Sequence, residues 1–427
     1  MHTLAQLKSG TLKGTTHLKI GEGLTEFPLE VFELADTLEV LDLSDNQLSQ
    51  LPDNFSCLKK LSIAFFQDNL FTEFPKQLGL CDRLQMISFK SNRIVTIPEN
   101  AFPKSTRWLI LTNNKITALP QSIGDCVYLQ KCGLAGNALQ EIPTTLSHCK
   151  NLQLLRVSAN KLEQLSKFLF DMPNLAWLAI DGNPFNDTGH GLKNDLQHFN
   201  WKDIEILELL GEGASGHIYK VKINDIAFAL KLFKGEVTSD GLPHSEMIAN
   251  IAFSEHPHLT NVIGQLSNHP ENKEGLILEL IPSSYKNLGL PPSFKTCTRD
   301  TFINGTQFNV EQIITIAKGI ASACNHLHNN GIMHGDLYAH NILVDENYHV
   351  LLGDFGAATM YNRTEDKAQA YEKLEVRAFG YLLDDLLNYV VIDNNQKELD
   401  NIIRLKNSCL SSVVNDRPSF EDIVSLL

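Results

Sequence analysis

The sequence predicts an α/β solenoid of repeats followed by an α+β domain, and three observations support this division. Asparagine recurs every 22 or 23 residues between positions 46 and 183. The period ends before residue 201, where an alternating apolar run indicates β-strands of another kind. The length of 427 residues suits two domains of about 100–200 residues each. We therefore predict a repeat domain over residues 1–190, a linker over 191–202 and a second domain over 203–427.

The composition narrows the classes of partner. The chain is 43% hydrophobic and 20% charged with a net charge of -14, and residues 191–427 hold 19 Lys and Arg against 31 Asp and Glu. Because an acidic surface repels nucleic-acid phosphates and anionic lipids, we expect neither nucleic acid nor a membrane as partner. No apolar run reaches the roughly 18–20 residues of a membrane span, and the first residues lack the apolar core of a signal peptide. We expect a cytoplasmic protein.

The recurring asparagines lie in a longer pattern, L-x-x-L-x-L-x-x-N-x-L, as in LEVLDLSDNQL at 38–48. This pattern resembles the leucine-rich repeat family. A single unit offers a short strand and a return segment that can bury its leucines only by stacking on its neighbours. We predict that the asparagine side chains form a ladder that satisfies buried backbone groups. The seven positions are Asn46, Asn69, Asn92, Asn114, Asn137, Asn160 and Asn183.

Apolar residues occupy strand positions that should point away from the solenoid core, because side chains alternate along a strand. An exposed apolar stripe of this kind usually marks an interaction site. We predict that it binds a protein substrate or regulator, or the second domain of this chain. The alternative is partial shielding by neighbouring strands. The residues of this predicted concave face are Val40, Ile63, Phe65, Met86, Trp108, Ile110, Leu154 and Trp177.

The second domain opens with a glycine-rich turn, G-x-G-x-x-G, at residues 211–216. Such a turn alone is weak evidence, since glycine-rich turns serve many folds. A dinucleotide-binding fold would place a helix directly after it, whereas residues 217–231 alternate as two strands and end at Lys231. A helical apolar pattern over 316–331 then precedes IMHGDLYAHNILV at 332–344 and DFG at 354–356.

In this order and spacing, the motifs of residues 201–427 resemble the protein kinase family. The fold class predicted is an α/β leucine-rich-repeat solenoid followed by an α+β, two-lobed protein-kinase-like domain. The resemblance implies ATP and Mg²⁺ as cofactors. It assigns catalytic roles to Asp336 as proton acceptor, Lys231 as phosphate ligand and Glu246 as the ion-pair partner of Lys231. It also assigns Asn341 and Asp354 as magnesium ligands.

The family resemblance further implies a set of nucleotide-contacting residues from the glycine-rich turn, the strand that bears the lysine and the hinge segment. They are Gly211, Glu212, Gly213, Ala214, Ser215, Gly216, Ile218, Ala229, Lys231, Leu278, Glu279, Ile281 and Leu343.

The sequence departs from the family pattern in two places. Gly335 precedes Asp336 where the family often has an arginine that binds an activating phosphate, so we do not expect control by activation-loop phosphorylation. Glu375 stands where the family has Asp, only 19 positions after Gly356, and no Ala-Pro-Glu motif lies between them. We therefore expect a shortened peptide platform.

Three functions remain open at this stage. The first is an ATP-dependent protein kinase that transfers the γ-phosphate to a protein hydroxyl, Ser or Thr rather than Tyr, with the repeats binding or regulating proteins. The second is an ATP-binding pseudokinase scaffold, which the shortened segment favours and the intact catalytic set opposes. The third is a small-molecule phosphotransferase, since His-Gly-Asp also occurs in kinase-like enzymes that act on small alcohols.

Overall fold

In a computed structural model of the chain, the structure describes residues 1–186, 196–213, 215–235, 237–252, 255–365, 367–391 and 395–427. These residues form two compact units. The first comprises Met1–Asn174 and Asn183–Phe185, and the second comprises Leu175–Gly182 and Asn186–Leu427. Residues 175–182 continue the repeat pattern in sequence but belong to the second unit.

The first unit is a stack of short parallel strands behind an N-terminal helix, α1 (Leu4–Lys8), which Thr3 caps with its side chain. Successive strands pair in chain order and in direct register. The predicted leucine-rich-repeat solenoid is therefore confirmed. The strands are β1 (His17–Lys19), β2 (Val40–Asp42), β3 (Ile63–Phe65), β4 (Met86–Ser88), β5 (Trp108–Ile110), β6 (Lys131–Gly133) and β7 (Leu154–Arg156).

Short 3₁₀ helices return the chain from one strand to the next. Proline occupies the N-cap of four of them, where its fixed φ angle suits the start of a helical turn and its missing N–H costs no hydrogen bond. These prolines are Pro28, Pro75, Pro120 and Pro143. The 3₁₀ helices of the first unit are Leu29–Leu34, Phe55–Cys57, Lys76–Leu80, Gln121–Asp125, Thr144–His148 and Lys167–Asp171.

The asparagine ladder is present as predicted. All seven side chains are buried. Asn69 illustrates the pattern: its Nδ2 donates to the carbonyl of Leu43 at 2.9 Å, and its Oδ1 accepts from the amide of Leu48 at 2.8 Å. Each asparagine thus pairs backbone groups of the preceding repeat that would otherwise be buried without a partner.

The predicted apolar stripe is less exposed than the alternation of side chains suggested. Val40, Ile63, Phe65, Trp108 and Ile110 are partly exposed. In contrast, Met86 is 6% exposed, Leu154 is 2% exposed and Trp177 is 1% exposed. All three residues of their strands are buried. Both faces of these strands are covered, so the prediction of a fully exposed stripe was wrong at these three positions.

The second unit contains a strand from the repeat pattern, β8 (Trp177–Ala179), and a six-stranded sheet. The sheet order is β10-β11-β12-β14-β13-β9, antiparallel except where β9 lies parallel to β13. Its strands are β9 (Gln197–Asn200), β10 (Glu205–Glu212), β11 (Gly216–Ile223), β12 (Ile226–Phe233), β13 (Val262–Ser267) and β14 (Gly275–Glu279). Helix α2 (Pro243–Ala252) connects β12 to β13. Strand β9 lies within the residues predicted as linker.

A helical lobe completes the second unit. Its helices are α3 (Val310–Asn329), α4 (Ala368–Leu387), α5 (Gln396–Cys409) and α6 (Phe420–Leu426). Asn309 and Gln312 form a capping box at the start of α3, which fixes where that buried helix begins. Two small sheets also belong to this lobe. One contains β15 (Lys286–Asn287), β17 (Ile342–Val344) and β18 (Val350–Leu352), and the other contains β16 (Ile332–Met333) and β19 (Thr359–Met360).

The division of the second unit into a sheet lobe and a helical lobe confirms the predicted fold class. Among the described residues, no helix combines the length and the apolar character needed to cross a membrane.

Candidate active site

A buried ion pair joins the sheet lobe to α2. Lys231 lies on β12, and its ammonium group contacts the carboxylate of Glu246 on α2. The two side chains are 13% and 2% exposed. Burial raises the pKa of Glu246, with Lys231 opposing the shift and the nearby charge of Asp354 adding to it. Helix α2 is therefore docked against the strand that bears the lysine, as the sequence predicted for Lys231 and Glu246.

Asp336 and Asn341 are held together on one loop between β16 and β17. The Nδ2 of Asn341 donates to Oδ2 of Asp336 at 3.0 Å and to the Asp336 carbonyl at 2.9 Å. Because the amide nitrogen makes both bonds, the Oδ1 of Asn341 is the atom suited to bind a cation. The amide of Gly353 donates to the Asn341 carbonyl at 3.1 Å, which links this loop to Asp354.

Glu375 anchors the same loop from α4. Its two carboxylate oxygens accept the backbone amides of His334 at 3.0 Å and Gly335 at 2.8 Å, and His328 Nε2 lies 2.7 Å away. The side chain is 1% exposed. Burial alone would raise the pKa of Glu375, but the hydrogen bond and charge of His328, with His334, hold it below its ordinary value. An ionised carboxylate thus fixes the backbone immediately before Asp336.

Asp354 adopts a left-handed backbone with φ of 57°, which is costly for a residue other than glycine and is typical of functional sites. The residue is exposed. His340 shows that Asp336 and Asp354 share one electrostatic environment. Burial alone would lower the pKa of His340, but its hydrogen bond with Asp300 and the charges of Asp300, Asp336 and Asp354 raise it.

The glycine-rich turn closes between β10 and β11. The amide of Gly213 donates to the carbonyl of Gly216 at 2.9 Å. A Cβ on Gly216 would lie 2.5 Å from the carbonyl oxygen of Leu232 on the neighbouring strand, so only glycine fits there. The structure brings the predicted residues Gly211, Glu212, Gly213, Ser215, Gly216 and Ile218 to this turn and its flanking strands. Ala214 lies outside the described residues.

The remaining predicted nucleotide contacts are distributed over both lobes. Ala229 and Leu278 are direct partners across β12 and β14. Glu279 follows them, and its amide already donates to the carbonyl of Asn261 at 3.0 Å. Ile281 is partly exposed just beyond β14, and Leu343 is partly exposed on β17 of the helical lobe. The Glu279 amide is thus engaged within the sheet.

The donor set fits a magnesium nucleotide. One carboxylate, Asp354, and one amide, Asn341, offer the oxygen ligands that Mg²⁺ prefers, and nucleotide phosphates and water usually complete its coordination. Within the described ranges no group of three or more His, Cys, Asp or Glu side chains forms a ready-made metal site. Lys231, held at the ion pair, supplies the positive charge that phosphates require.

Gly335 occupies a position that excludes any side chain. Its φ is 74°, and a Cβ would lie 2.7 Å from the carbonyl oxygens of both Ala357 and Leu178. The sequence showed that an arginine was missing here. It gave no signal that the backbone of Leu178 lies in this space, or that Trp177 packs on the loop that bears Asp336.

Gly335→Ala should therefore lower the free energy of unfolding of the second unit by more than about 2 kcal/mol, because backbone strain and crowding add. Gly305→Ala is a matched control in the same unit: its φ is 87°, but a Cβ there would have nothing within 4 Å. Thermal unfolding of both variants separates the effect of backbone strain from the effect of crowding by Ala357 and Leu178. Equal losses would show that the contact with Ala357 and Leu178 contributes nothing.

Comparisons with known proteins agree with this geometry. The protein kinase domain family matches residues 204–378, and the leucine-rich repeat family matches residues 37–58. The probable serine/threonine-protein kinase drkC of Dictyostelium discoideum is 27% identical over 287 residues, which cover 55% of this chain and 37% of that protein. Rust resistance kinase Lr10 of Triticum aestivum is 29% identical over 162 residues, which cover 37% of this chain and 24% of that protein.

The chain thus spans well under half the length of these curated relatives. Among solved structures, a leucine-rich-repeat protein of Leptospira interrogans is 32% identical, with a TM-score of 0.39, over 42% of this chain and 46% of that one. The two family matches fall in different parts of the chain, one among the repeats and the other over the sheet lobe and the active-site loops. The chain thus combines a region that matches the leucine-rich repeat family with a region that matches the protein kinase domain family.

Proposed function

We propose that the second unit is an ATP-dependent protein kinase that transfers the γ-phosphate to serine or threonine hydroxyls of a protein. The observation that carries the proposal is that two parts of the expected site are both assembled in the second unit. The Lys231–Glu246 ion pair is formed, and Asp336 is hydrogen-bonded to Asn341, while the carboxylate of Asp354 is exposed. Phosphoryl transfer depends chiefly on such positioning and on charge neutralisation.

Each residue of the site has a proposed role in phosphate transfer. Lys231 binds phosphate oxygens, while Glu246 fixes the direction of its side chain. Asn341 and Asp354 would hold Mg²⁺, which when bound neutralises phosphate charge. Asp336 accepts the proton of the acceptor hydroxyl, and Asn341 holds it through one bond to its carboxylate and one to its backbone carbonyl. The hydrogen bonds from the amides of His334 and Gly335 to Glu375 anchor the backbone before it.

The repeats are proposed to bind the protein substrate or a regulator. The partly exposed residues Val40, Ile63, Phe65, Trp108 and Ile110 support this role, since they leave apolar surface on β2, β3 and β5. The centre of the Trp108 ring also lies 4.3 Å from the ammonium group of Lys131. A cation is therefore stacked on the tryptophan of this apolar surface.

The test is transfer of labelled phosphate from ATP with Mg²⁺ to casein by the full chain and by Asp354→Ala. We expect the variant to lose at least about 10³-fold in rate, because it lacks a proposed metal ligand. Equal labelling by both proteins would contradict the proposal and favour a scaffold. Labelling of a small alcohol but not of casein would instead favour a small-molecule phosphotransferase.

A further inference from the structure

A segment of eight residues, Leu175–Gly182, belongs to the same compact unit as the proposed kinase site although it precedes that domain in the sequence. At its centre, all three residues of β8 are buried. The segment contacts the loop that bears Asp336, which the mechanism needs in a fixed position.

Trp177 makes the contacts with the loop. Its indole stacks on the ring of Tyr338 with centroids 4.3 Å apart and planes inclined by 6°, and on Tyr381 of α4 at 5.2 Å and 17°. Its Nε1 donates to the carbonyl of Leu337 at 3.0 Å. The ring is thus bonded to the residue that follows Asp336 and stacked on the next one. It is 1% exposed, so these contacts exclude water.

The backbone of the segment approaches the loop from the other side of Asp336. The carbonyl oxygen of Leu178 lies 2.7 Å from where a Cβ of Gly335 would be. Gly335 donates its amide to Glu375 at 2.8 Å. The loop is therefore enclosed between α4 and β8 on both sides of Asp336. This packing accounts for the absence of a side chain at Gly335.

We propose that Trp177 is a positioning residue of the kinase reaction and that Leu175–Gly182 holds the catalytic loop in its reactive arrangement by packing. The inference rests on the proposed function. The segment occupies the space beside Gly335, so the loop needs no arginine and no phosphate at that point to be fixed. A displacement of about 1 Å at a reacting group costs roughly 10²-fold in rate, which sets the size of the effect.

The experiment compares the full chain with Trp177→Ala and Trp177→Phe in the casein assay, with rates divided by the folded fraction. We expect Trp177→Ala to lower kcat by about 10²-fold and to change the KM for ATP by less than about threefold. Trp177→Phe keeps an aromatic ring for stacking but loses the hydrogen bond to Leu337 and part of the ring area, so it should recover most of the rate. Trp201→Ala is the matched control.

Trp201 lies in the same unit, where its ring is 4.3 Å from that of His269 and packs on the core of the sheet lobe. Its loss should reduce stability without changing kcat per folded molecule. If Trp177→Ala behaves like Trp201→Ala, Trp177 is structural only and the proposal is overturned. A rate above that of the unaltered chain would also overturn it, since the segment would then be inhibitory.

A second measurement does not depend on activity. Hydrogen exchange of the amides over 332–342 should become faster in Trp177→Ala and stay unchanged in Trp201→Ala. If the unaltered chain transfers no phosphate yet this difference in exchange is found, the proposed function fails while the positioning role stands. Unchanged exchange over 332–342 would remove the positioning role whatever the activity.

Discussion

Asp336→Asn should lower kcat for phosphate transfer by about 10²–10⁴-fold, the usual contribution of a positioned general base. The substitution removes the group that accepts the hydroxyl proton and keeps the size of the side chain. ATP affinity should change by less than about threefold, since the aspartate is assigned to the acceptor rather than to the phosphates. Steady-state rates with casein and calorimetric titration with ATP and Mg²⁺ measure the two quantities separately.

Asp345→Asn is the matched control for this variant. Asp345 accepts the amides of Asn347 and His349 in a turn of the same lobe, so the chemical change is identical while the distance from the reaction is greater. Its rate should equal that of the unaltered chain. If Asp336→Asn also retains the full rate, Asp336 does not accept the proton, and the assignment of the catalytic loop is wrong.

Glu375→Ala should lower the free energy of unfolding of the second unit by about 3–5 kcal/mol, because it leaves two buried amides and a buried histidine without their acceptor. For a domain of this size the loss corresponds to roughly 6–20 °C in Tm. The amides belong to His334 and Gly335, directly before Asp336. Thermal unfolding followed by circular dichroism measures the shift, and kcat should fall with it.

Glu372→Ala provides the comparison on the same helix, since Glu372 accepts a single amide, that of Phe420, at 2.7 Å. The Glu372→Ala substitution should lower the free energy of unfolding by about 1–2 kcal/mol.

Because the pKa of Glu375 is lower in the folded state than its ordinary value of 4.5, the stabilisation by Glu375 is full above that value and is lost as the pH falls through the folded-state pKa. The Tm difference between the unaltered chain and Glu375→Gln should therefore shrink in acid. A constant difference would contradict an ionised Glu375.

The solenoid was predictable because its determinants are local. Each asparagine and each leucine acts within one repeat or on the next, so a fixed spacing in the sequence becomes a fixed spacing in space. The ladder that Asn69 makes with Leu43 and Leu48 follows directly from that rule. Proline positions likewise coincide with the starts of 3₁₀ helices.

The residues of the candidate active site were predicted by motif rather than by geometry. Lys231 and Glu246 form the expected ion pair, and Asn341 binds Asp336. Motif spacing does not show what covers a residue. Trp177 was predicted on a face that binds a partner protein or the second domain of this chain, and it packs on Tyr338, about 160 positions away in the sequence. No local pattern encodes such a contact, and the same limit applies to Met86 and Leu154.

Gly335 shows how a departure from a motif can be informative. The sequence indicated only the loss of an arginine. The structure shows a positive φ and two carbonyl oxygens in the space of a side chain, so glycine is required by its surroundings. Arg417 similarly donates to the carbonyls of Lys373 at 2.9 Å and Ser411 at 3.1 Å. Such partners are backbone atoms, which no residue pattern identifies.

The eight residues that complete the kinase unit are encoded inside the last repeat, and this constrains how such a gene can be shortened or recombined. A truncation placed where the repeat pattern ends would keep every kinase motif but discard Trp177. The resulting fragment would expose the ring of Tyr338, on which Trp177 stacks. The motifs of the two domains do not overlap in the sequence, but residues 175–182 belong to the last repeat and pack in the second unit. A domain exchange with a homologue must therefore transfer these residues together with the second unit.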